Sequence, residues 1–172
     1  MFAWIQEIDW GILQWIHDTL QCGVLDFLMP KLTALGNGGA VWIVAAAALT
    51  VSKKYRRYGI AMFAALAAGV LLGNVCLKNL VARPRPCWLE NIPLLIANPT
   101  DYSFPSGHTL SSVIGATVLA KANRKFGFAA IPLAALIAFS RLYLYVHFPS
   151  DVLASIVLGI AIGTTAVSAT TS

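Results

Sequence analysis

Charge is what this chain has least of. Only 11% of its 172 residues are Asp, Glu, Lys or Arg, against 58% hydrophobic, and its mean hydropathy is +0.74. A water-soluble domain has about a quarter of its residues charged on a composition roughly 45–50% apolar, so too little charge is present to cover a water-facing surface. Acidic residues are the scarcer sign: seven Asp and Glu face twelve Lys and Arg, giving a formal net charge of +5 and a pI near 9.3. Cysteine is limited to Cys22, Cys76 and Cys87, with no C-x-x-C pair. That excludes a disulfide framework and a cysteine-ligated zinc site, and Cys22 and Cys76 are read as apolar membrane packing. Internal repeats and low-complexity tracts are absent. Asn98-Pro99-Thr100 has proline in its middle position and is no glycosylation acceptor. The first twenty residues carry Glu7, Asp9 and Asp18 without an early basic cluster, so no cleavable signal peptide is predicted.

What the chain has instead is a series of apolar runs. At about 20 residues per crossing, its length permits six or seven spans and leaves no room for a second globular domain. Trp4, Ile8, Ile12 and Trp15 recur at helical spacing within 2–20, while Glu7, Asp9, Gln14 and Asp18 occupy other faces. This predicts an amphipathic helix, residues 1–20, that lies in the interface and also packs on the protein. Residues 21–172 form one transmembrane domain with predicted spans at about 21–36, 38–52, 58–82, 107–122, 126–146 and 149–169. The expected fold is therefore an all-α integral membrane bundle of about six transmembrane helices. Arg83-Pro84-Arg85-Pro86 must stop the third span, because proline lacks an amide donor and restricts the residue before it. Pro149 suits the first turn of the last helix.

The basic residues sort by side. Lys53, Lys54, Arg56, Arg57, Lys121, Arg124 and Lys125 fall in two short connections that share one face in a six-span topology, which places that face in the cytoplasm. The 83–106 loop and the 147–150 turn then lie outside the cytoplasm. With its cations absorbed by membrane orientation and by the polar clusters described below, the chain calls for no nucleic-acid partner. Gly69-x-x-x-Gly73 and Gly159-x-x-x-Gly163 allow close helix approach, within one bundle or between two, and no oligomer is predicted.

Three polar clusters interrupt the apolar pattern, and in the six-span topology all meet on the extracytoplasmic side. Lys78 to Arg85 closes the third span; alone, Lys78 and Arg83 can simply snorkel and complement a helix dipole. Phe104-Pro105-Ser106-Gly107-His108-Thr109 opens the fourth, with Ser106 as N-cap and the amides after it free to bind an anion. Alone, it is also an ordinary capped helix start. Ser140-Arg141, His147 and Asp151 are expensive near a membrane and so are functional candidates. Asp151 can pair with the positive end of its own helix, or hydrogen-bond one nitrogen of His147 and leave the other nucleophilic. Jointly the clusters suit phosphoryl transfer without a metal: fixed cations on the equatorial oxygens, one histidine attacking phosphorus, and the other protonating the leaving oxygen. No metal-binding carboxylate cluster is visible, and no cofactor is predicted.

Lys78-x6-Arg85-Pro86, Pro105-Ser106-Gly107-His108 and Ser140-Arg141-x5-His147-x3-Asp151 together resemble the three-part signature of the type 2 phosphatidic acid phosphatase superfamily, membrane lipid phosphatase branch. The resemblance spans residues 78–151. It implies His147 as the nucleophile that forms a phosphohistidine, Asp151 as the residue that orients and charges it, and His108 as general acid and then base. It implies Lys78, Arg85, Ser106, Gly107 and Arg141 as the phosphate-binding set. Arg83 and Asp101 lie outside the signature and receive no chemical role from it. The implied substrate is a lipid phosphate in the bilayer, with undecaprenyl diphosphate first and phosphatidylglycerophosphate or phosphatidic acid as alternatives. The implied location is the cell membrane, multi-pass, with an extracytoplasmic site. The family also includes soluble acid phosphatases and vanadium-dependent haloperoxidases, which the hydropathy argues against. From a different class, a phosphate-binding or anion-conducting bundle would not call for both histidines and Asp151.

Overall fold

The computed structural model describes residues 3–90 and 92–171, all in helices and connecting segments, with no strand among the described residues. Met1 and Phe2 of the predicted N-terminal helix, Asn91 of the 83–106 loop, and Ser172 lie outside the described residues. Among the described residues nine α-helices follow in order: α1 (Ala3–Leu20), α2 (Gly23–Leu35), α3 (Ala40–Val51), α4 (Arg56–Gly69), α5 (Lys78–Val81), α6 (Pro86–Leu89), α7 (Gly107–Ala122), α8 (Arg124–Tyr143) and α9 (Pro149–Thr171). A π-helical stretch, Val70–Leu77, joins α4 to α5.

Helix α7 is the centre of the bundle and packs against α8, α9, α4 and α3. Its Leu110, Ile114 and Val118 are buried with Trp42 of α3, Met62 and Ala65 of α4, and Ile137 of α8. Glycine makes this closeness possible. Gly69 and Gly73 face Leu110, while Gly159 and Gly163 face Val113 and Thr117, so both predicted glycine pairs seat their helices directly on α7. Gly115 lies under the Trp42 indole, whose Nε1–H donates to Ser112 Oγ at 3.0 Å.

By length and composition, Arg56–Leu89, Arg124–Tyr143 and Pro149–Thr170 are long and apolar enough to cross a membrane. Gly23–Leu35 with Asn37–Val51, bent by 44°, makes a fourth if the pair serves as one broken span. The sequence places two spans there. The bend arises at Gly36-Asn37-Gly38-Gly39, where Gly38 and Gly39 take φ of 58° and 70°, left-handed values that glycine adopts at no steric cost. The outward faces of these helices expose Val44, Val51, Leu71, Phe128, Leu153 and Val157, a surface suited to lipid rather than water. Cys22 and Cys76 are likewise exposed on the outside of the bundle.

Helix α1 packs on α8 and α9 through Asp9, Leu13 and Ile16, a line at i, i+4, i+7. The Trp4, Ile8, Ile12 and Trp15 stripe points away from the protein and is exposed. The apolar pattern thus divides between a protein-facing line and an exposed stripe, and the carboxylate on the protein-facing line is 2% exposed.

The Gly115 contact is directly testable. Gly115→Ala places a methyl group inside the van der Waals envelope of the Trp42 ring and is expected to destabilise the bundle by about 1–3 kcal/mol, the usual cost of overpacking. Thermal unfolding of the detergent-solubilised protein reads this as a lowered midpoint.

Candidate active site

The proline-arginine run ends the long helical segment: Ala82 turns left-handed at φ 46°, and Arg85 is extended before Pro86 starts α6. Lys78 and Arg85 are thereby placed against the start of α7 and the α8–α9 turn. The structure gathers all eight residues singled out by the sequence around one region, although they come from segments up to 73 residues apart. Lys78, Arg85, Gly107, His108, Arg141 and His147 line one cavity of about 930 Å³. Ser106 and Asp151 are fully buried beside it.

His147 is 1% exposed, and its surroundings fix its tautomer. Arg85 Nη1 lies 3.0 Å from His147 Nε2. A guanidinium can only donate, so Nε2 carries the lone pair and Nδ1 carries the proton. Nδ1 lies 3.4 Å from Ser103 Oγ, whose hydroxyl donates to Asp151 Oδ2 at 2.5 Å. The direct Nδ1 to Oδ2 separation is 3.9 Å. The direct histidine–carboxylate hydrogen bond that the i,i+4 spacing suggests is therefore replaced by a serine bridge. The remaining capacity of Asp151 is filled by the Phe148 N–H at 2.9 Å and by Arg83 Nη1 at 2.6 Å. Burial, reinforced by Arg85, Arg141, Lys78 and His108, holds the His147 pKa well below the ordinary imidazole value. The ring is neutral at neutral pH, with its free nitrogen turned toward the cations.

Each cation has a fixed partner. Arg85 donates through Nε to the Asp101 carbonyl, through Nη1 to the Val146 carbonyl and through Nη2 to Asp101 Oδ1, each at 2.6 Å. Lys78 ion-pairs with Asp101, and Arg141 donates to Thr33 Oγ1. Burial pushes the Asp101 carboxyl up, but the Lys78 hydrogen bond and the Arg85 charge outweigh it and bring its pKa to about 2. Asp101 and Arg83, which the signature leaves without a role, are thus ion-pair partners of three signature residues.

His108 stands in the first turn of α7, with Nε2 2.9 Å from Asn37 Oδ1 in the corner between α2 and α3. Gly36 in the same corner lies against the His108 ring, leaving no room for a side chain. Ser106 takes the N-cap position with extended backbone, yet its side chain makes no capping hydrogen bond. Instead Ser106 Oγ accepts from Thr109 Oγ1 at 3.0 Å. The N–H groups of Gly107, His108 and Thr109 have no intrahelical acceptor and form the positive end of the helix.

Sequence reasoning missed Ser103, Asn37, Thr33 and the pairing roles of Arg83 and Asp101. Ser103 and Asp101 sit close before the Pro105-Ser106-Gly107-His108 motif, and Asp9 lies one turn before Leu13 on the buried line of α1. Nothing in sequence spacing connects Asn37 or Thr33 to residues more than 70 positions away.

The cavity continues beyond the charges. Ile43, Phe63, Leu66, Val70, Leu110 and Ile114 line its apolar part. Phe63 and Lys78 lie fifteen residues apart on one helical segment, so the cavity follows that segment for roughly 22 Å. A cationic head with a long apolar extension fits an amphiphile whose polar end is anionic.

Comparison with known proteins agrees with this geometry. Residues 54–171 match the model of the PAP2 superfamily. The chain is 37% identical over 141 residues to the undecaprenyl-diphosphatase of Sulfolobus acidocaldarius, covering 81% of this chain and 68% of that protein. The crystal structure of Aquifex aeolicus LpxE superposes with a TM-score of 0.82 at 27% identity, over 94% of this chain and 95% of the other. That of a PAP2-type phosphatidylglycerolphosphate phosphatase from Bacillus subtilis superposes with a TM-score of 0.78 at 26% identity, over 96% and 85%. All three motifs fall inside the matched region and their side chains meet in one cationic cavity: the chain belongs to the PAP2 superfamily and is a membrane phosphatase.

Proposed function

We propose that the protein removes the terminal phosphate from a lipid, with undecaprenyl diphosphate as first substrate. The observation that carries this reading is His147 Nε2, an unprotonated nitrogen held beside Arg85 in a cavity that runs from buried cations into an apolar slot. The name of the Sulfolobus relative favours a polyprenyl diphosphate, and the Bacillus neighbour favours phosphatidylglycerophosphate as the second choice.

Lys78, Arg85, Arg141, Ser106 and the Gly107 amide hold the phosphoryl oxygens and stabilise their charge in the transition state. His147 Nε2 attacks phosphorus as the bond from phosphorus to the leaving oxygen breaks. His108 gives its proton to that oxygen, which departs as the lipid monophosphate when the substrate is a diphosphate. The phosphohistidine carries positive charge on its ring, with Nδ1–H still directed to Ser103 and, through it, to Asp151. His108 then takes a proton from water, the hydroxyl oxygen bonds to phosphorus, and the P–N bond breaks to restore neutral His147. The positive charge for both steps comes from side chains, so no metal is required.

Residues 1–20 are proposed to lie in the membrane interface, with Trp4, Ile8, Ile12 and Trp15 turned to lipid. Residues 21–172 form the single phosphatase domain. Six crossings, with α2 and α3 each entering the bilayer, place Lys53 to Arg57 and Lys121 to Lys125 in the cytoplasm and the cavity mouth on the extracytoplasmic side of the cell membrane. Lipid phosphate and bilayer are the only partners this reading requires.

His147→Ala is expected to reduce phosphate release from a polyprenyl diphosphate in detergent to background while helicity by circular dichroism is retained. Full activity in that variant would remove the nucleophile assignment and favour a non-catalytic bundle. EDTA is expected to leave turnover intact, whereas vanadate, which mimics pentacoordinate phosphorus, inhibits it; loss of activity in EDTA argues for metal chemistry. In a release assay across undecaprenyl diphosphate, phosphatidylglycerophosphate and phosphatidic acid, the diphosphate is expected to give the highest kcat/KM, and a preference for either phospholipid would reassign the substrate.

A further inference from the structure

The site is not self-contained within the segment that matches the family. Arg83 is 4% exposed and lies between two carboxylates. Its Nη1 donates to Asp151 Oδ1 at 2.6 Å and to Ser150 Oγ at 2.8 Å, and its Nη2 donates to Asp9 Oδ2 at 2.7 Å and to Gln6 Oε1 at 2.8 Å. The Phe148 ring covers the guanidinium, 3.9 Å from Cζ. Asp9 in turn accepts from the Ser150 N–H at 2.8 Å and from Ser150 Oγ at 2.5 Å, one residue before Asp151. Asp9 and Gln6 belong to α1, which lies outside the 54–171 family match.

We infer that Asp9 of the N-terminal helix is a positioning residue for the nucleophile, acting through Arg83 on Asp151. The inference rests on the assignment of His147 as nucleophile. The reason is charge. Arg83 alone against Asp151 cancels the carboxylate that must face the positive phosphohistidine ring. With Asp9 on its other side, Arg83 is shared, and the trio of Asp9, Arg83 and Asp151 carries one net negative formal charge. The same contacts fix the direction of Asp151, which has one oxygen on Arg83 and the other on Ser103 and the Phe148 amide. All of this takes place where solvent screening is weak, because Asp9, Arg83 and Asp151 are each at most 4% exposed.

The test is a double-mutant cycle on the full-length protein in detergent, with a short-chain polyprenyl diphosphate as probe. Asp9→Asn is expected to lower kcat by roughly 10- to 100-fold, the scale seen when the hydrogen-bond partners that orient metal-ligating histidines are removed. KM should stay near its original value, because Asp9 does not line the cavity. Single-turnover labelling should show slower phosphoenzyme formation. In an Arg83→Met background, Asp9→Asn should cost little further activity, since the guanidinium that joins the two carboxylates is gone. The double variant should also exceed Asp9→Asn alone, because removal of the guanidinium returns the net negative charge to Asp151. An unchanged kcat in Asp9→Asn, or a double variant below Arg83→Met, overturns the inference. If Asp9→Asn does not fold, the comparison of Arg83→Met with the double variant decides alone. His147→Ala measured in parallel separates the two levels: activity there sinks the nucleophile, whereas a silent Asp9 with inactive His147→Ala sinks only the role of α1.

Discussion

Burying arginine inside an apolar bundle is the constraint on which the rest of this structure depends. Arg83, Arg85 and Arg141 are each at most 4% exposed, and Lys78 is 6% exposed. A buried ion left without its partner costs about 3–5 kcal/mol, a large share of the stability of any domain. The fold answers with fixed acceptors: Asp9 and Asp151 for Arg83, one shared Asp101 for Lys78 and Arg85, and the Thr33 hydroxyl for Arg141. These acceptors come from α1, α2, α9 and the loop before α7, so pairing the charges also ties the helices together. The polar network gives the helix arrangement its specificity, while the glycine contacts on α7 set its spacing.

How much of this was legible in the sequence depended on the range of the interaction. Helix positions were readable because hydropathy, proline and glycine act locally: α7 was predicted at its observed bounds, and Pro149 begins α9. Lys78, Arg85, His108, Arg141, His147 and Asp151 are conspicuous as ionisable groups in apolar runs, whereas Ser106 and Gly107 are legible only through the helix-start motif and the family resemblance. What escaped was contact between distant segments. Ser103 is an unremarkable hydroxyl until the fold inserts it between His147 and Asp151, and Asn37 belongs to a glycine-rich corner until that corner closes on His108. In the 21–52 region hydropathy gives apolarity but not direction, so the 44° bend between α2 and α3 is not legible there. The left-handed glycines bend it there.

The corner between α2 and α3 and the π-helical stretch between α4 and α5 belong to one design. Both interrupt regular helix geometry, and both flank the cavity where its polar and apolar parts meet. Irregular backbone at membrane depth is tolerated where it lines a cavity, since the freed peptide groups are then hydrated or hydrogen-bonded by whatever occupies the space. An amphiphile whose charged end reaches Lys78 would have its chain beside Phe63 and Leu66, in the part of the cavity that regular α4 encloses.

The Asp101 carboxylate, half-exposed on its loop and resting on both Lys78 and Arg85, bears on how a reaction cycle ends. On the proposed chemistry, inorganic phosphate must finally leave three cations, two of which, Lys78 and Arg85, already pair with Asp101. A tethered carboxylate within reach of Lys78 and Arg85 would exchange for it there, so departure would not leave those two charges bare. On that chemistry Asp101 would serve as a resident counter-ion to Lys78 and Arg85, loosening their hold on the spent anion and leaving both neutralised for the next lipid.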